Sequence, residues 1–256
     1  MSGTAILSAL AQEQQGLIAQ LDNPRQLVRA GRDFWLGRLH GQEVVLACSR
    51  IGKVAAATTA TSLIEGFGVE RIVFTGVAGG LGQAVQVGDL VVATRFVQHD
   101  MDASPLFARF EVPLYGRSEF ACDAALSALL VDAGQFALGT LDSTTRTATT
   151  TPVLHQGLIA SGDCFVSSAA AGEALKRALL GVGLEALAVE MEGAAVAQVC
   201  HDYRIPFAAI RSISDRSDDT ARGDFEHFVA HVASHYARAI VDHLMRALAL
   251  RAAARH

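Results

Sequence analysis

Short apolar runs alternate with longer alanine-rich segments along almost the whole chain. Runs such as RIVFTG (71–76) and DLVVATRF (89–96) are nearly continuous in apolar residues, which is typical of strands covered on both faces. Longer segments such as GKVAAATTATSLIEGFG (52–68) have the composition of helices. This alternation predicts an α/β protein with a largely parallel or mixed central sheet. The candidate strands are 5–9, 34–39, 43–49, 71–76, 89–96, 135–141, 156–161, 184–190 and 206–213, and the candidate helices are 52–68, 118–134, 168–180, 192–204 and 225–253.

The size and charge of the chain exclude several classes of protein. Its 256 residues are 51% hydrophobic and 18% charged, which allows a sizeable core in one large or two small domains and excludes a disordered or fibrous chain. The formal net charge of −5 provides no surplus of lysine and arginine to neutralise phosphates, so we expect no nucleic-acid partner. No apolar segment reaches the roughly 18 residues that span a bilayer, and segment 1–15 lacks the basic region of a signal peptide. The sequence therefore predicts a soluble cytoplasmic protein with no membrane partner.

The cysteines and histidines do not predict a metal site. The four cysteines are far apart and form no CxxC pair, so free thiols in a reducing cytoplasm are the simpler interpretation. His227, His231 and His235 recur at every fourth position of the last helical segment. That spacing permits metal ligation, but it is more typical of a solvated helix stripe. We therefore predict that the protein uses no metal and no cofactor.

Carboxylates come directly after two of the predicted strands. Glu190 ends one strand and Glu192 begins the next helix, while Asp215 follows another strand in the same way. Ligands of open α/β sheets bind beyond the carboxyl ends of strands, but helix starts also favour acidic residues, and an aspartate there is often an ordinary N-cap. Both interpretations stay open on the residues alone, with Glu192 favoured over Glu190 as the functional member of its pair. Arg211 lies within a strand, where an arginine needs a carboxylate partner or a ligand.

Two glycine-containing turns follow other predicted strands. FTGVAGGL (74–81) matches neither a Walker A loop nor G-x-G-x-x-G, and it is either a plain turn or a backbone platform under a sugar or phosphate. SGDCF (161–165) places Phe165 in a loop, where an aromatic ring either packs in the core or stacks on a flat ligand. Glu13, in AQEQQ (11–15), indicates by itself only a solvated helix face.

Seven short motifs occur in the order in which one enzyme family carries them. Together they cover nearly the whole chain and resemble the bacterial 5′-methylthioadenosine/S-adenosylhomocysteine nucleosidases, within the nucleoside phosphorylase superfamily. The resemblance implies one nucleoside phosphorylase-like domain over 1–256, with three α/β/α layers around a mixed, partly barrel-like sheet. It also implies hydrolysis of the N-glycosidic bond of adenine nucleosides, which releases adenine and a ribose carrying a 5′-thioether. The motifs are SRIGKVAAA (49–57), TGVAGGL (75–81), VGDLVV (87–92), HDMD (99–102), SGDCF (161–165), AVEMEGAAVAQVC (188–200) and IPFAAIRSISD (205–215).

The same resemblance implies a role for each of four charged residues. Asp215 would be the general acid that protonates N7 of adenine, and it would need a pKa raised by burial and by neighbouring carboxylates. Glu13 would polarise the attacking water, and Arg211 would help to position that water and the carboxylates. Glu192 would hold the ribose hydroxyls, close to the positive charge that builds on the sugar as the base departs.

Further residues are implied to bind the nucleoside substrate. Met191 would pack against the sugar, Phe165 would stack on adenine, and the backbone of Val166 would read the adenine edge. The remaining members of this implied site are Val77, Ala78, Gly79 and Ser214.

The family forms dimers, which implies a homodimer here. The irregular segment 98–117 has two of the five prolines and several aromatic residues without clear periodicity, and long ordered loops of this kind are often functional. Phe107 and Pro113 in this segment would reach into the partner's site and cover the 5′-group.

Two departures from the family pattern leave rival functions open. Val77 stands where many relatives have the serine of TGSAGG, and Glu13 alone remains where relatives often have several consecutive acids. A purine nucleoside phosphorylase would need converging cationic or hydroxyl donors for phosphate, which Val77 and Glu13 do not supply. A hydrolase of a nucleoside with a different 5′-substituent, such as a futalosine-like one, and a non-catalytic nucleoside-binding sensor are also compatible with the sequence.

Overall fold

The computed structural model of the protein describes residues 3–14, 16–140 and 151–254. In this part of the chain, strands and helices alternate as the sequence predicts. The strands are β1 (Thr4–Ser8), β2 (Asp22–Arg29), β3 (Arg32–Leu39), β4 (Gln42–Cys48), β5 (Arg71–Gly80), β6 (Leu90–Gln98), β7 (Glu119–Ala121), β8 (Leu154–Ser161), β9 (Ala186–Glu190) and β10 (Phe207–Asp215). The α-helices are α1 (Lys53–Phe67), α2 (Ala124–Thr140), α3 (Ala169–Leu180), α4 (Gly193–Tyr203), α5 (Ala221–His231) and α6 (Ala233–Ala253), and short 3-10 helices cover Ala11–Gln14 and Ile18–Gln20.

One mixed sheet connects the ten strands of the described residues, and part of it closes on itself. Strand β10 pairs in parallel with β5 and antiparallel with β6, while β8 joins β6 to β9 by parallel pairing. An antiparallel pairing of β9 with β5 completes the ring β5–β10–β6–β8–β9. The strands β1, β4, β3 and β2 extend the sheet outward from β5. The predicted mixed, partly barrel-like sheet is therefore confirmed.

Helices cover the sheet on opposite faces and give the predicted three layers. On one face α1 and α4 contribute small and aliphatic side chains, such as Leu63 and Val196, to a buried cluster. On the other face α2 and α6 pack together and contribute Leu130 and Leu244 to a second cluster. Both clusters are continuous with the apolar side chains of the strands, so burial of the two sheet faces explains why most strand segments are apolar throughout.

The strand predicted over 135–141 is wrong. Residues up to Thr140 belong to α2, whose buried residues Leu126, Leu130, Ala133 and Ala137 recur at helical spacing, and position 141 lies outside the described residues. A short apolar run does not by itself distinguish a strand from a buried helix segment, and here the helical interpretation is correct. The helix predicted over 118–134 accordingly begins later, after the short strand β7.

The long C-terminal helix predicted over 225–253 is in fact two helices. Val232 separates α5 from α6 with φ −121° and ψ −42°, and its side chain is buried. Strand β2 was also missed, because all its residues are exposed and it contains Pro24, as an edge strand can. Of the irregular segment predicted over 98–117, residue 98 ends β6, and residues 99–117, all of them described, form no helix and no regular strand, as predicted.

None of the described helices is both long enough and apolar enough to cross a membrane.

Candidate active site

The carboxyl ends of β5, β9 and β10 meet at one end of the barrel. Asp215, the last residue of β10, lies opposite Gly79 of β5. Gly79 in turn pairs with Val189 of β9, next to Glu190 at the end of that strand. Polar side chains that follow different strands are therefore brought together, as expected for ligand sites in α/β sheets.

A cavity of about 690 Å³ opens at this end of the barrel. A small annex between Phe165 and Asp215 adds the backbone and side chain of Val166. Arg211 does not line the cavity but lies beside it. Phe107 and Pro113 of the same chain do not line it either. The predicted site residues that line the cavity itself are Glu13, Val77, Ala78, Gly79, Phe165, Met191, Glu192, Ser214 and Asp215.

Glu13 is buried at the inner wall of the cavity and is only 1% exposed. Its carboxylate accepts hydrogen bonds from the backbone N–H groups of Ala9 and Leu10, both at 2.9 Å, and of Val77 at 3.1 Å. A side chain at Gly76 would come within 3.0 Å of this carboxylate, so the glycine makes room for it. The interpretation of AQEQQ as a solvated helix face is wrong, because the 3-10 helix turns Glu13 inward onto β5. Burial raises the pKa of Glu13, and the backbone N–H groups and Arg211 oppose that rise.

Arg211 and Glu190 form a buried ion pair behind the cavity. Nη2 of Arg211 lies 2.8 Å from Oε2 of Glu190, and both side chains are almost fully buried. Nη1 donates to the carbonyl of Phe74 at 3.1 Å, and the guanidinium lies 4.0 Å from the centre of the Phe74 ring. Of the two alternatives predicted for Arg211, a carboxylate partner or a ligand, the structure provides the first, and the partner is Glu190. Glu190 also accepts hydrogen bonds from the Ser161 hydroxyl and from the N–H of Gly193.

Glu192 directly precedes α4, but its side chain makes no capping hydrogen bond to that helix. Its Oε1 instead accepts a hydrogen bond of 2.8 Å from the N–H of Gly52, at the start of α1. The adjacent N–H of Lys53 donates to Asp163 at 2.7 Å. Burial, followed by the nearby charge of Glu190, raises the pKa of Glu192 to about 8. Glu192 therefore presents to the cavity a carboxyl group that tends to keep its proton, and it does not cap α4.

Asp215 is buried and held in one orientation by its neighbours. It accepts hydrogen bonds from the N–H of Ser217 and the hydroxyl of Ser214, both at 2.8 Å. A Cβ on Gly79 would lie 2.8 Å from Oδ1 of Asp215, so only a glycine fits there. Burial raises the pKa of Asp215 most, and nearby carboxylates raise it further, while the two hydrogen bonds lower it. The raised pKa expected for this residue is thus present.

Phe165 stands at the outer wall of the cavity with 42% of its surface exposed. Its ring packs edge-on against Phe225 of α5, with the ring centres 5.6 Å apart. Of the two interpretations of this aromatic residue, core packing does not fit so large an exposure. An exposed ring beside Met191 and Asp215 provides a flat apolar surface on which a ligand ring can stack.

Comparison with known proteins agrees with this architecture. The family model described as the phosphorylase superfamily matches residues 4–246 of the chain. The chain belongs to the phosphorylase superfamily.

Relatives within the superfamily include several nucleosidases. An aminodeoxyfutalosine nucleosidase of Helicobacter pylori is 37% identical over 84% of this chain and 86% of its own. A 5′-methylthioadenosine/S-adenosylhomocysteine nucleosidase of Shewanella denitrificans is 33% identical over 92% of this chain and 96% of its own. The crystal structure of the corresponding Neisseria meningitidis nucleosidase, in complex with methylthio-immucillin-A, matches with a TM-score of 0.84 at 33% identity, over 96% of this chain and 100% of that one. The resemblance inferred from the seven motifs is therefore confirmed.

Several residues that line the cavity were not predicted from the sequence. Ile51 precedes α1, and Arg222, Phe225 and Glu226 lie on one face of α5 at helical spacing. The spacing of 222, 225 and 226 is a sequence signal that could have indicated a shared helix face. The sequence analysis predicts one helix over 225–253, and Arg222 lies before the start of that predicted helix.

The histidine stripe is exposed, as predicted. His227 and His231 stack on each other in α5 with ring centres 4.6 Å apart, and His235 lies beyond the break at Val232 in α6. Among the described residues, no group of three or more histidine, cysteine or acidic side chains could hold a metal ion.

We expect the substitution Glu192→Gln to change how stability depends on pH. The pKa of Glu192 rises from 4.5 to about 8 on folding, so the folded state binds this proton more tightly than the unfolded state. The resulting stabilisation is complete below the unfolded pKa and is lost as the pH rises through about 8. Glutamine cannot ionise and keeps an oxygen for Gly52, so the variant escapes this loss.

Thermal unfolding across this pH range checks the expectation. The Tm of Glu192→Gln minus that of the wild type should increase from acidic to alkaline pH. Glu185→Gln, which removes an exposed carboxylate between α3 and β9, should show no such trend. A constant difference between Glu192→Gln and the wild type would contradict the assignment.

Proposed function

We propose that this protein hydrolyses the N-glycosidic bond of 5′-methylthioadenosine and S-adenosylhomocysteine, releasing adenine and a ribose with a 5′-thio substituent. One observation carries the proposal: Glu13, Glu192 and Asp215, which are far apart in the sequence, line the same sheltered cavity. The names of the Shewanella and Neisseria relatives, which are nucleosidases for these two substrates, support the choice of nucleoside.

The proposed reaction begins with proton transfer from Asp215 to N7 of adenine. Its raised pKa keeps a proton available closer to neutral pH than an ordinary aspartate would, as a general acid requires. As the C–N bond breaks, positive charge builds on the ribose, and the nearby carboxylates stabilise that charge where water is scarce. Adenine leaves with the proton, and a water molecule attacks the anomeric carbon.

Glu13 is proposed to orient that water and to accept its proton. Three backbone N–H groups fix the Glu13 carboxylate, so it is held in place before the substrate binds. Arg211 acts through its ion pair with Glu190 and through its charge near Glu13. Glu192 is proposed to hold the ribose hydroxyls, with the N–H of Gly52 fixing its orientation.

The adenine and sugar are proposed to lie between Phe165 and the end of β10. Phe165 would stack on the base, the Val166 backbone would read its edge, and Met191 would pack against the ribose. Ser214 donates a hydrogen bond to Asp215 and so holds the acid in position. The backbone of Val77, Ala78 and Gly79 would form the floor under the sugar.

A cytoplasmic homodimer completes the proposal. Leu106 and Leu114 in the loop after β6 are 84% and 91% exposed, and together they offer apolar area to a contact surface. Phe107 and Pro113 lie next to these leucines and would cover the 5′-group in the partner's cavity.

Water, rather than phosphate, is the proposed nucleophile. Phosphate binding needs converging cationic or hydroxyl donors, but the cavity lining carries the carboxyl group of Glu13, and the side chain of Val77 has no donor. A carboxylate at this place repels phosphate and suits the activation of water.

Adenine release tests the proposed function. Purified protein should release adenine from 5′-methylthioadenosine and S-adenosylhomocysteine at the same rate with and without phosphate, and should leave inosine intact. Release that requires phosphate would identify a phosphorylase instead. Tight nucleoside binding without turnover would identify a sensor, and cleavage of aminodeoxyfutalosine alone would identify the specificity named for the Helicobacter relative.

A further inference from the structure

The outer part of the cavity carries charged groups that the proposed hydrolysis does not use. Arg222 and Glu226 lie one turn apart on α5, and Nε of Arg222 donates to Oε1 of Glu226 at 3.1 Å. Both line the cavity, yet the Arg222 side chain is 85% exposed, so they stand at its mouth. Among the described residues, the two Nη groups of Arg222 donate no hydrogen bond, which leaves them available to a ligand.

Arg222 is the sole cation that the described residues contribute to the lining. The other titratable side chains of this described lining are the carboxyl groups of Glu13, Glu190, Glu192, Asp215, Asp219 and Glu226. Three of them, Glu13, Glu192 and Asp215, have raised pKa values, and Glu190 is paired with Arg211. None of the six attracts a ligand carboxylate by its charge, so within this lining only Arg222 does. The position of this single arginine fixes where along the cavity a negative charge on a ligand is tolerated.

The orientation of the nucleoside decides which part of it reaches Arg222. Under the proposed function, the base and sugar occupy the buried end near Asp215, Glu13 and Glu192. The substituent on C5′ is then the part that extends towards the mouth. It would pass Phe225, which lies between Arg222 and Glu226 on the same face of α5.

We propose that Arg222 and Glu226 form a specificity site for nucleosides whose 5′-substituent ends in a carboxylate, and in particular in an amino acid. This inference rests on the proposed function. Arg222 would pair with the carboxylate through its two Nη groups, in the bidentate geometry that guanidinium groups favour. Glu226, with Asp219 beside it in the lining, would face the ammonium group. A methylthio group offers neither charge and would end at the apolar surface of Phe225.

The existing ion pair between Arg222 and Glu226 does not prevent Arg222 from pairing with a ligand carboxylate instead. Both side chains are largely exposed, and exposed ion pairs contribute little stability and rearrange easily. Because solvent also weakens the new contact, we expect a modest preference of about threefold to tenfold rather than an absolute requirement.

The substitution Arg222→Gln tests the inference. We expect the KM for S-adenosylhomocysteine to rise about threefold to tenfold, with kcat unchanged and with both constants for 5′-methylthioadenosine unchanged. The analogue of S-adenosylhomocysteine that lacks only the carboxylate should be insensitive to the substitution, because it has nothing for Arg222 to bind. Added salt should raise the wild-type KM for S-adenosylhomocysteine more than that for 5′-methylthioadenosine.

Arg246→Gln is the matched control. Arg246 forms the same kind of exposed ion pair one turn apart, with Asp242 of α6 at 2.9 Å, and does not line the cavity. It should leave both substrates unaffected. The inference is overturned if Arg222→Gln changes neither substrate, or changes both substrates and the carboxylate-free analogue equally.

Failure of the proposed function would look different. If the wild type cleaves neither nucleoside, the dissociation constants of S-adenosylhomocysteine and its carboxylate-free analogue can be compared directly in wild type and Arg222→Gln. A loss confined to the carboxylate-bearing ligand would still support the specificity site, and identical dissociation constants would overturn it.

Discussion

Asp215→Asn is expected to lower kcat for 5′-methylthioadenosine by roughly 10²–10⁴-fold, the usual contribution of a general acid. Asparagine has nearly the same shape, and its carbonyl oxygen can still accept a hydrogen bond from Ser217 or Ser214. It has no carboxylic proton to give to the departing adenine. The nucleoside should therefore still bind, with KM or Kd changed far less than kcat.

The pH profile distinguishes loss of the proton from a general disturbance. Burial raises the pKa of Asp215, so the protonated, active form persists to higher pH than for an ordinary aspartate and is lost as the pH rises through that pKa. Wild-type kcat should fall along this limb, whereas the residual activity of Asp215→Asn should not follow it. Asp132→Asn, which removes an exposed carboxylate on α2, is the control and should keep wild-type turnover. Turnover near the wild-type level in Asp215→Asn would refute the acid role.

The strand-end carboxylates could be predicted from the sequence because the signal is local. Glu190 follows the apolar run ALAV, and Asp215 ends the strand FAAIRSISD, whose first four residues are apolar. The carboxyl ends of neighbouring strands then share one edge of the sheet. For Arg211 the sequence predicts only a carboxylate partner or a ligand, since the identity of the partner depends on which strands are neighbours.

The position of Glu13 could not be predicted from local pattern. Its burial depends on the pairing of β1 with β5, which are separated by more than sixty residues in sequence and bring the N–H of Val77 to its carboxylate. The motif AQEQQ has the polarity of a solvated segment, and nothing within it records that contact. The family resemblance implies that Glu13 belongs to the site, because a resemblance compares motifs along the whole chain. The spacing of apolar residues, in contrast, describes only a short segment of the sequence.

The other differences between the predicted and the observed elements also arise where the local sequence pattern carries no signal. Strand β2 has no apolar face, because it lies at the edge of the sheet and all its residues are exposed, so a pattern of buried residues could not reveal it. The break at Val232 occurs at a buried β-branched residue within a continuous helical pattern, without a proline or glycine to mark it. The start of α5 at Ala221, earlier than the predicted start at 225, is what places Arg222 within a helix.

Glu190→Ala is expected to destabilise the fold by about 3–5 kcal/mol, the usual cost of removing one partner of a buried ion pair. The guanidinium of Arg211 is 1% exposed and would lose its 2.8 Å contact with Glu190. The carbonyl of Phe74 and the Phe74 ring would remain, but neither neutralises a full charge. The N–H of Gly193 would also lose its acceptor. Urea unfolding, monitored for the free energy of unfolding, measures the effect.

A second variant separates the charge from the packing. If the cost of Glu190→Ala comes from an unpaired buried charge, then replacing both partners by apolar residues, Glu190→Leu with Arg211→Met, should restore part of the lost stability, because no charge is then left without a partner. If the free energy of unfolding lost in the double variant equals the sum of the losses in its two single variants, the pair contributes through shape and hydrogen bonding instead. If Glu190→Ala lowers the free energy of unfolding by less than about 1 kcal/mol, water or Glu13 must compensate the charge of Arg211, since only solvent-exposed ion pairs contribute so little. The ion pair would then no longer explain how the arginine is held behind the cavity.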